Sequence, residues 1–337
     1  MKRCIMIKTK WIYYCTVLLI LCCAVLSSCA KKEHKVYHIG IVSGADVFIE
    51  IADGFKSKMN ELGYIEGKNA VYDLQKTNAD PAAVEQAVQK FVADKVDLIF
   101  AFPTGPALAA KQAVAGTNIP VVFAFAGIEG NNLVNSVTAP GGNSTGVRYP
   151  GPELTVKRLE ILCELMPQAK NVLIIYDKNY PLIPHSLQEL HTVAPSLNIS
   201  LVEVPIESIE ELETALELIS AKKDIGIDAI LIMPELITQS PAGWKMMVEF
   251  AVKHKLPISG GAGFEVNTGA VFCYVPDNFE TGRSAVPLAD KILKGTPAGK
   301  IMVTTPPLRL RLNYKLAVEL GLNVPEGLLN RADEIIR

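Results

Sequence analysis

The sequence predicts an α/β protein built from two doubly wound, Rossmann-like lobes joined by more than one crossing. Short β-branched apolar runs alternate with amphipathic stretches from Val36 onward, the signature of parallel sheets covered by helices. The alternation breaks once, around Gly141-Gly142-Asn143-Ser144-Thr145-Gly146, and then restarts. Beyond an N-terminal targeting segment, about 300 residues remain, more than a single core usually serves.

In the first half, His38 to Val42 reads as a buried strand, Ile49 to Leu62 as a helix and Ala70 to Leu74 as a strand. Pro81 to Asp94 reads as a helix with Asp80 as N-cap and Pro81 at its first position, where the missing N–H is harmless. Val96 to Phe102 and Ile119 to Phe125 follow as strands, with a helix from Gly105 to Ala115 between them. In the second half, helices are predicted over 153–166, 184–193, 209–221 and 243–254, with strands at 171–176, 199–204 and 229–233 and another starting at Ile258. The tail adds a strand at 269–275, a helix at 278–293, a strand at 301–304 and a helix at 312–320. A strand and helix returning to the first lobe, then a last piece returning to the second, predict a split near Val147 to Pro152 and crossings near Gly269 and Thr305, an arrangement suited to hinge bending. The expected boundaries are therefore 37–148 plus 272–303 for the N-terminal lobe and 149–271 plus 304–337 for the C-terminal lobe.

The N-terminus carries its own signal. Lys2, Arg3, Lys8 and Lys10 precede a charge-free stretch from Trp11 to Val25, shorter than the roughly 20 apolar residues of a membrane span. Leu26-Ser27-Ser28-Cys29 resembles the bacterial lipobox. That resemblance implies a signal peptide at 1–28, lipidation of Cys29, and a short polar tether over 29–36 holding an extracytoplasmic body to the membrane. More than one acyl chain is enough for stable anchoring. A plain N-terminal membrane anchor with an incidental Cys is the competing reading.

Removal of residues 1–28 deletes four positive and no negative side chains, taking the formal net charge from −2 to −6. That balance predicts no nucleic-acid partner. Beyond Cys29 only Cys163 and Cys273 remain, in a helical and a strand-like run, and two free thiols are expected more than a disulfide.

In open α/β sheets ligands bind beyond the carboxyl ends of strands, where helix N-termini offer N–H donors to anions. Position in the chain therefore nominates Ser43, Gly44, Ala45 and Asp46 after the first strand, Pro103, Thr104 and Gly105 after the third, and Phe125, Ala126 and Gly127 after the fourth. Ser43 and Thr104 also suit an ordinary capping role. The equivalent second-lobe loops nominate Tyr176, Asp177, Asn179, Tyr180, Pro234, Glu235 and Gly261. The tyrosines would wall a ligand, and Asp177 or Glu235 would pair with an ammonium group, although a solvated loop is the commoner fate of a single acid.

No catalytic pattern competes with this reading. His34, His38, His185, His191 and His254 lack metal-ligand spacing. The Gly-rich stretch at 141–146 has no Walker lysine and leads to Val147 instead of opening a helix. Neither a Gly-x-Ser-x-Gly elbow nor a dinucleotide fingerprint after the first strand is present. The expectation is a non-enzymatic binder without cofactor or metal.

Several stretches in order resemble the ABC-transporter substrate-binding lipoproteins that include tryptophan and tyrosine binders, within the type I periplasmic-binding-protein fold. They are Gly54-Phe55 through Leu62-Gly63-Tyr64, Pro120 to Phe123, Gly142 to Val147, Lys157-Arg158-Leu159-Glu160, Ala289 to Gly295, Leu320-Gly321-Leu322, and Pro325 through Arg331-Ala332-Asp333. The resemblance implies a monomer that hands a small polar solute, an amino acid and by preference an aromatic one, to a separately encoded permease and ATPase. It also implies Asp277 as a site acid, because Tyr274-Val275-Pro276-Asp277 matches a Tyr-x-x-Asp-Tyr element of the family, here with Phe279 for the second Tyr and Thr281-Gly282 for Leu-Gly. The alternative is a ligand-sensing protein working with a separate signalling partner, no fused output being expected after Arg337.

Overall fold

The computed structural model describes residues 35–78 and 80–337. The signal segment 1–28, Cys29 and most of the tether lie outside the described residues. Two sheets organise the body. The first is parallel, with strand order β2-β1-β3-β4-β5, from β1 (Tyr37–Ser43), β2 (Ala70–Lys76), β3 (Leu98–Phe102), β4 (Val121–Ala126) and β5 (Ser144–Arg148). Between these strands run α1 (Ile49–Glu61), α2 (Pro81–Ala93) and α3 (Thr104–Ala113).

Side chains of successive strand residues point to opposite faces, so each buried strand feeds two cores. Ile39, Ile41 and Phe100 meet α1 on one face, while Val42, Ile99, Ala101 and Phe123 meet α2 and α3 on the other. Gly40 allows α2 to sit close: a Cβ there would lie 2.5 Å from Cγ of Phe91. Asp80 caps α2 as predicted, accepting from the Ala82 N–H at 2.9 Å.

The second sheet has order β12-β11-β10-β9-β8-β6-β7. In chain order its elements are α4 (Gly151–Leu165), β6 (Asn171–Asp177), α5 (Ile183–Val193), β7 (Ser200–Ile206), α6 (Ile209–Ser220), β8 (Ala229–Leu231), α7 (Pro241–His254), β9 (Ile258–Gly260) and β10 (Phe272–Pro276). Helix α8 (Asn278–Leu293) follows, then β11 (Leu308–Asn313), α9 (Tyr314–Glu319), α10 (Glu326–Arg331) and β12 (Glu334–Ile336). One face packs Ile174, Leu231 and Leu312 against Leu159 and Leu162 of α4 and Ile183 and Leu190 of α5, and the other packs Leu173, Ile175 and Ile230 against Trp244 and Phe250.

The tail differs from expectation in three ways. Residues 272–276 were assigned to the N-terminal lobe, but Phe272 and Cys273 pair in parallel with Ser259 and Gly260, so β10 belongs to the second sheet and the chain leaves that lobe at Pro276–Asp277, not near Gly269. Residues 301–304 form only one bridge, Thr304 to Val147, at the edge of the first sheet. Leu308 to Asn313, partly read as helix, is a strand antiparallel to β10. Its Leu-Arg alternation is a period of two, with Leu310 and Leu312 buried and the arginines outward, and that pattern holds the strand conformation.

Helix α8 returns to the first lobe, packing on α1, β4 and β5. Glycines permit backbone contact there: a Cβ on Gly282 would lie 2.0 Å from the Ile51 carbonyl oxygen, and one on Gly54 would lie 2.0 Å from that of Phe279. The first crossing runs through Arg148 to Pro150 and the last through Thr304 to Pro307. Arg148 joins them, with its N–H on the Thr304 carbonyl at 2.8 Å and its Nε on the Thr305 hydroxyl at 3.1 Å. Glu129 at 2.8 Å and Glu153 at 2.6 Å balance its charge.

Candidate functional site

The carboxyl ends of the two sheets face each other, and a cavity lies between them. From the first lobe, Pro103 and Thr104 follow β3, Phe125 ends β4, and Phe48 folds over from the short 3-10 turn before α1. Tyr149 enters from the first crossing. From the second lobe come Tyr180 and Leu182 after β6, Pro234 to Leu236 with Gln239 after β8, and Gly261 after β9. The cavity measures ≈ 40 Å³. Small-molecule sites usually hold about 300–1,000 Å³, so a ligand is admitted only if the lobes part or wall side chains move. A larger, open groove of ≈ 450 Å³ lies between α6 and α7 on the outside of the second lobe. Helix-surface side chains such as Glu213, Leu216 and Phe250 line it, without the strand-end backbone donors of an α/β ligand site, so the interlobe cavity is the candidate.

One wall is aromatic. Phe125 stacks on Tyr149 at 4.7 Å between ring centroids and meets Phe48 at 5.1 Å. Its backbone is left-handed, with φ 49°, where the register of β4 against β5 shifts between Ala124 and Ala126. Such a conformation in a bulky residue is strained by about 1–3 kcal/mol and is characteristic of functional sites.

The opposite side is polar. The Glu235 carboxylate is buried and accepts from the N–H groups of Ile237 at 2.5 Å and Thr238 at 2.9 Å, and from the Thr238 hydroxyl. Burial pushes its pKa upward, and the nearby charge of Asp177 adds to the shift. Thr104 accepts from the Gly127 N–H at 3.0 Å and faces the cavity from the first lobe, with Tyr180 facing it from the second. Burial pushes the Tyr180 phenol to about 12.

Below the cavity, Arg158 is fully buried and donates to the carbonyls of Leu154 (3.3 Å), Ile232 (3.2 Å) and Gly260 (3.5 Å), and to the Tyr149 hydroxyl at 2.9 Å. Glu265, also fully buried, accepts through Oε2 from the N–H groups of Gly261 (2.5 Å) and Ala262 (3.0 Å). Its Oε1 has no partner, and burial pushes the carboxyl to about 7 despite those N–H donors and Arg158.

Of the residues nominated from sequence, Pro103, Thr104, Phe125, Tyr180, Pro234, Glu235 and Gly261 converge on the cavity. The others stand outside its wall. Ser43 is buried, with its hydroxyl on the Ala45 carbonyl at 3.0 Å and its own carbonyl receiving Thr77. Gly44 donates to the Phe102 carbonyl, and Asp46 pairs with Lys76 in solvent at 3.3 Å. Gly105 is in the first turn of α3, and the Ala126 carbonyl receives the Tyr149 N–H at 2.9 Å. Tyr176 points to β7, donating to Glu203 at 3.1 Å, and Asp177 closes a turn on the N–H of exposed Asn179 at 2.9 Å.

Asp277, expected to meet a ligand amine, instead caps α8 through the Glu280 N–H at 2.9 Å, with Arg309 3.8 Å away. The crossing begins at this residue, and the first free N–H groups of α8 capture its carboxylate. Phe48, Tyr149, Leu182, Leu236 and Gln239 lie outside the loops that the sequence nominates. Tyr149 had a usable signal, since it follows directly on the predicted break between lobes.

Two facing α/β lobes with a cavity at the carboxyl ends of both sheets define a bilobal solute-binding protein. The chain belongs to the ABC transporter substrate binding protein family, whose sequence pattern matches residues 35–336. It is therefore a non-enzymatic ligand binder of a class that works outside the cytoplasm. A tyrosine-binding protein of Clostridioides difficile (strain R20291) is 31% identical over 255 residues, covering 75% of this chain and 70% of the relative. Among solved structures, the ABC domain from Streptococcus pneumoniae in complex with L-Trp superposes with a TM-score of 0.79 at 24% identity, covering 90% of this chain and 100% of that one. A conserved domain protein from Vibrio cholerae gives 0.76 at 24% identity with the same coverage. Both share the type I periplasmic-binding-protein fold.

Proposed function

We propose that this protein is the lipid-anchored receptor of an ABC importer, capturing an amino acid, by preference an aromatic one, between its lobes and delivering it on closure to a separately encoded permease and ATPase. The observation that carries the reading is the pairing of an aromatic wall, Phe48-Phe125-Tyr149, with the buried Glu235 carboxylate in one interlobe cavity. An aromatic side chain gains from stacking at ring-centroid distances of about 4.5–7 Å, and a buried carboxylate suits an ammonium group. The ammonium partner is thus Glu235, with Asp177 contributing at longer range. Closure gains affinity only through contacts made in the closed state, and Gly127 of the first lobe and Leu182 of the second meet across the cleft in such a contact.

Mass spectrometry of small molecules released from denatured protein, followed by calorimetric titration of L-tyrosine and L-tryptophan against aliphatic amino acids and sugars, tests the ligand class. Saturable binding of the aromatic amino acids above all others is expected, and exclusive binding of a sugar would refute it. Cys29→Ser tests the anchor: the protein should leave the membrane fraction or persist as an uncut precursor. Unchanged attachment of a correctly processed form would refute lipidation.

A further inference from the structure

Arg158 lies in one of the stretches that resemble the family, yet it does not line the cavity. Among the described residues it is the largest side chain with no solvent exposure. A guanidinium taken out of water needs an anion or a full set of acceptors, because desolvation costs several kcal/mol. Among the described residues no carboxylate lies within ion-pair distance of it. Three acceptors are backbone carbonyls, two of them at the ends of β8 and β9, and the fourth is the Tyr149 hydroxyl.

Tyr149 translates this buried charge to the cavity. Guanidinium only donates, so the Tyr149 oxygen must accept and its phenolic proton must point elsewhere. Among the described residues no acceptor takes that proton, although the residue is 5% exposed and walls the cavity. Its ring is clamped by the stack on Phe125 and its N–H by the Ala126 carbonyl, which limits where the hydroxyl can swing.

We propose that Arg158 and Tyr149 form the anion-recognising corner of the cleft, with the Tyr149 hydroxyl donating to the carboxylate of the bound amino acid and Arg158 positioning that hydroxyl from behind. The inference rests on the amino-acid reading above and assigns the two charged ends of the zwitterion: carboxylate to Tyr149, backed by Arg158, and ammonium to Glu235. Tyr149 is a specificity-determining contact. Arg158 is a positioning residue.

The test uses the mature protein and the pairs L-tyrosine with L-tyrosinamide and L-tryptophan with L-tryptophanamide, titrated calorimetrically against wild type, Tyr149→Phe and Arg158→Lys. Wild type should favour each acid over its amide. Tyr149→Phe should weaken the acids by about tenfold or more and the amides by about threefold or less, because a hydrogen bond to a charged acceptor is roughly twice as strong as one to a neutral acceptor. The ligand-free melting temperature of that variant should fall by several degrees, because the buried Arg158 guanidinium loses one of its four acceptors, and the acid-to-amide ratio is the readout that a general loss of stability would not move. Arg158→Lys keeps the charge but loses the fork, and should reduce the acid-to-amide preference in the same direction. If Arg158→Lys does not fold, Tyr149→Phe decides alone. Equal weakening of acid and amide, or undiminished binding of the acid, overturns the inference and leaves the proposed ligand class standing. Failure of wild type to bind either aromatic acid overturns the ligand class and this assignment with it.

Discussion

Replacing Gly127 by Ala should hold the cleft open. Gly127 follows β4 in the first lobe, and a Cβ there would lie 2.3 Å from Cδ2 of Leu182 and 2.7 Å from Cδ1, both in the second lobe. Carbon atoms settle at about 3.5–4.0 Å, so the added methyl requires a retreat of more than about 1 Å. Neither side yields easily. Leu182 is 1% exposed and packed with Tyr149 and Leu154. The Gly127 N–H is held by Thr104 at 3.0 Å and its carbonyl by Asn131 at 2.9 Å. Overpacking of this kind costs about 1–3 kcal/mol, a factor of roughly 5 to 150.

If the contact exists only with the lobes together, the whole cost falls on the closed state and the apparent affinity drops by the same factor. Gly127→Ala should therefore weaken ligand binding about tenfold while leaving the ligand-free melting temperature within about 2 °C. Small-angle scattering should show a more extended ligand-free molecule. A lowered melting temperature with unchanged affinity would refute the reasoning, because it would make the Gly127–Leu182 contact permanent packing unrelated to closure.

Glu235→Gln should weaken an ammonium ligand by about tenfold or more, with little effect on an analogue lacking the amine, by titration of L-tyrosine against its desamino acid; equal losses would remove Glu235 from the amine site. Glu265 has a folded pKa raised from 4.5 to about 7, so native protein holds this proton more tightly than the unfolded chain between those values. Its stabilisation is full below pH 4.5 and is lost as pH rises to about 7, on the order of 3 kcal/mol. Denaturant titrations from pH 4 to 8 should show Glu265→Gln flattening that decline, and parallel curves would refute the assignment. In Gly282→Ala the new Cβ would meet the Ile51 carbonyl oxygen at 2.0 Å and the Phe55 nitrogen at 2.8 Å, both backbone. A melting temperature lower by about 5–10 °C is expected, and a change under about 1 °C would show that α1 and α8 are not in backbone contact.

The elements readable from sequence are those whose pattern is local. The buried strands of the first lobe and the helix with Asp80 at its N-cap carry their apolar period and capping residue within about fifteen neighbouring positions. The strand 308–313 also announced itself, through Leu-Arg alternation, yet was partly read as helix because the following Tyr314 to Glu319 is helical. Which sheet a strand joins is a different kind of information. Phe272 to Pro276 reads identically whichever lobe it completes, and its pairing with Ser259 and Gly260 is what puts it in the second.

The same division runs through the site. By itself the sequence determined the family, the two-lobe α/β architecture and the strand-end loops that supply Thr104, Phe125, Tyr180, Pro234, Glu235 and Gly261, because strand ends follow from strand positions. Only the tertiary structure decided which acid reaches the cavity. Asp277 and Glu235 are both acids at strand ends, but one is captured by the free N–H groups of α8 while the other is buried against Thr238 at the cavity wall. Tyr149, Phe48 and the buried Arg158 owe their roles to contacts between segments distant in sequence, and such contacts leave no periodic trace in either segment.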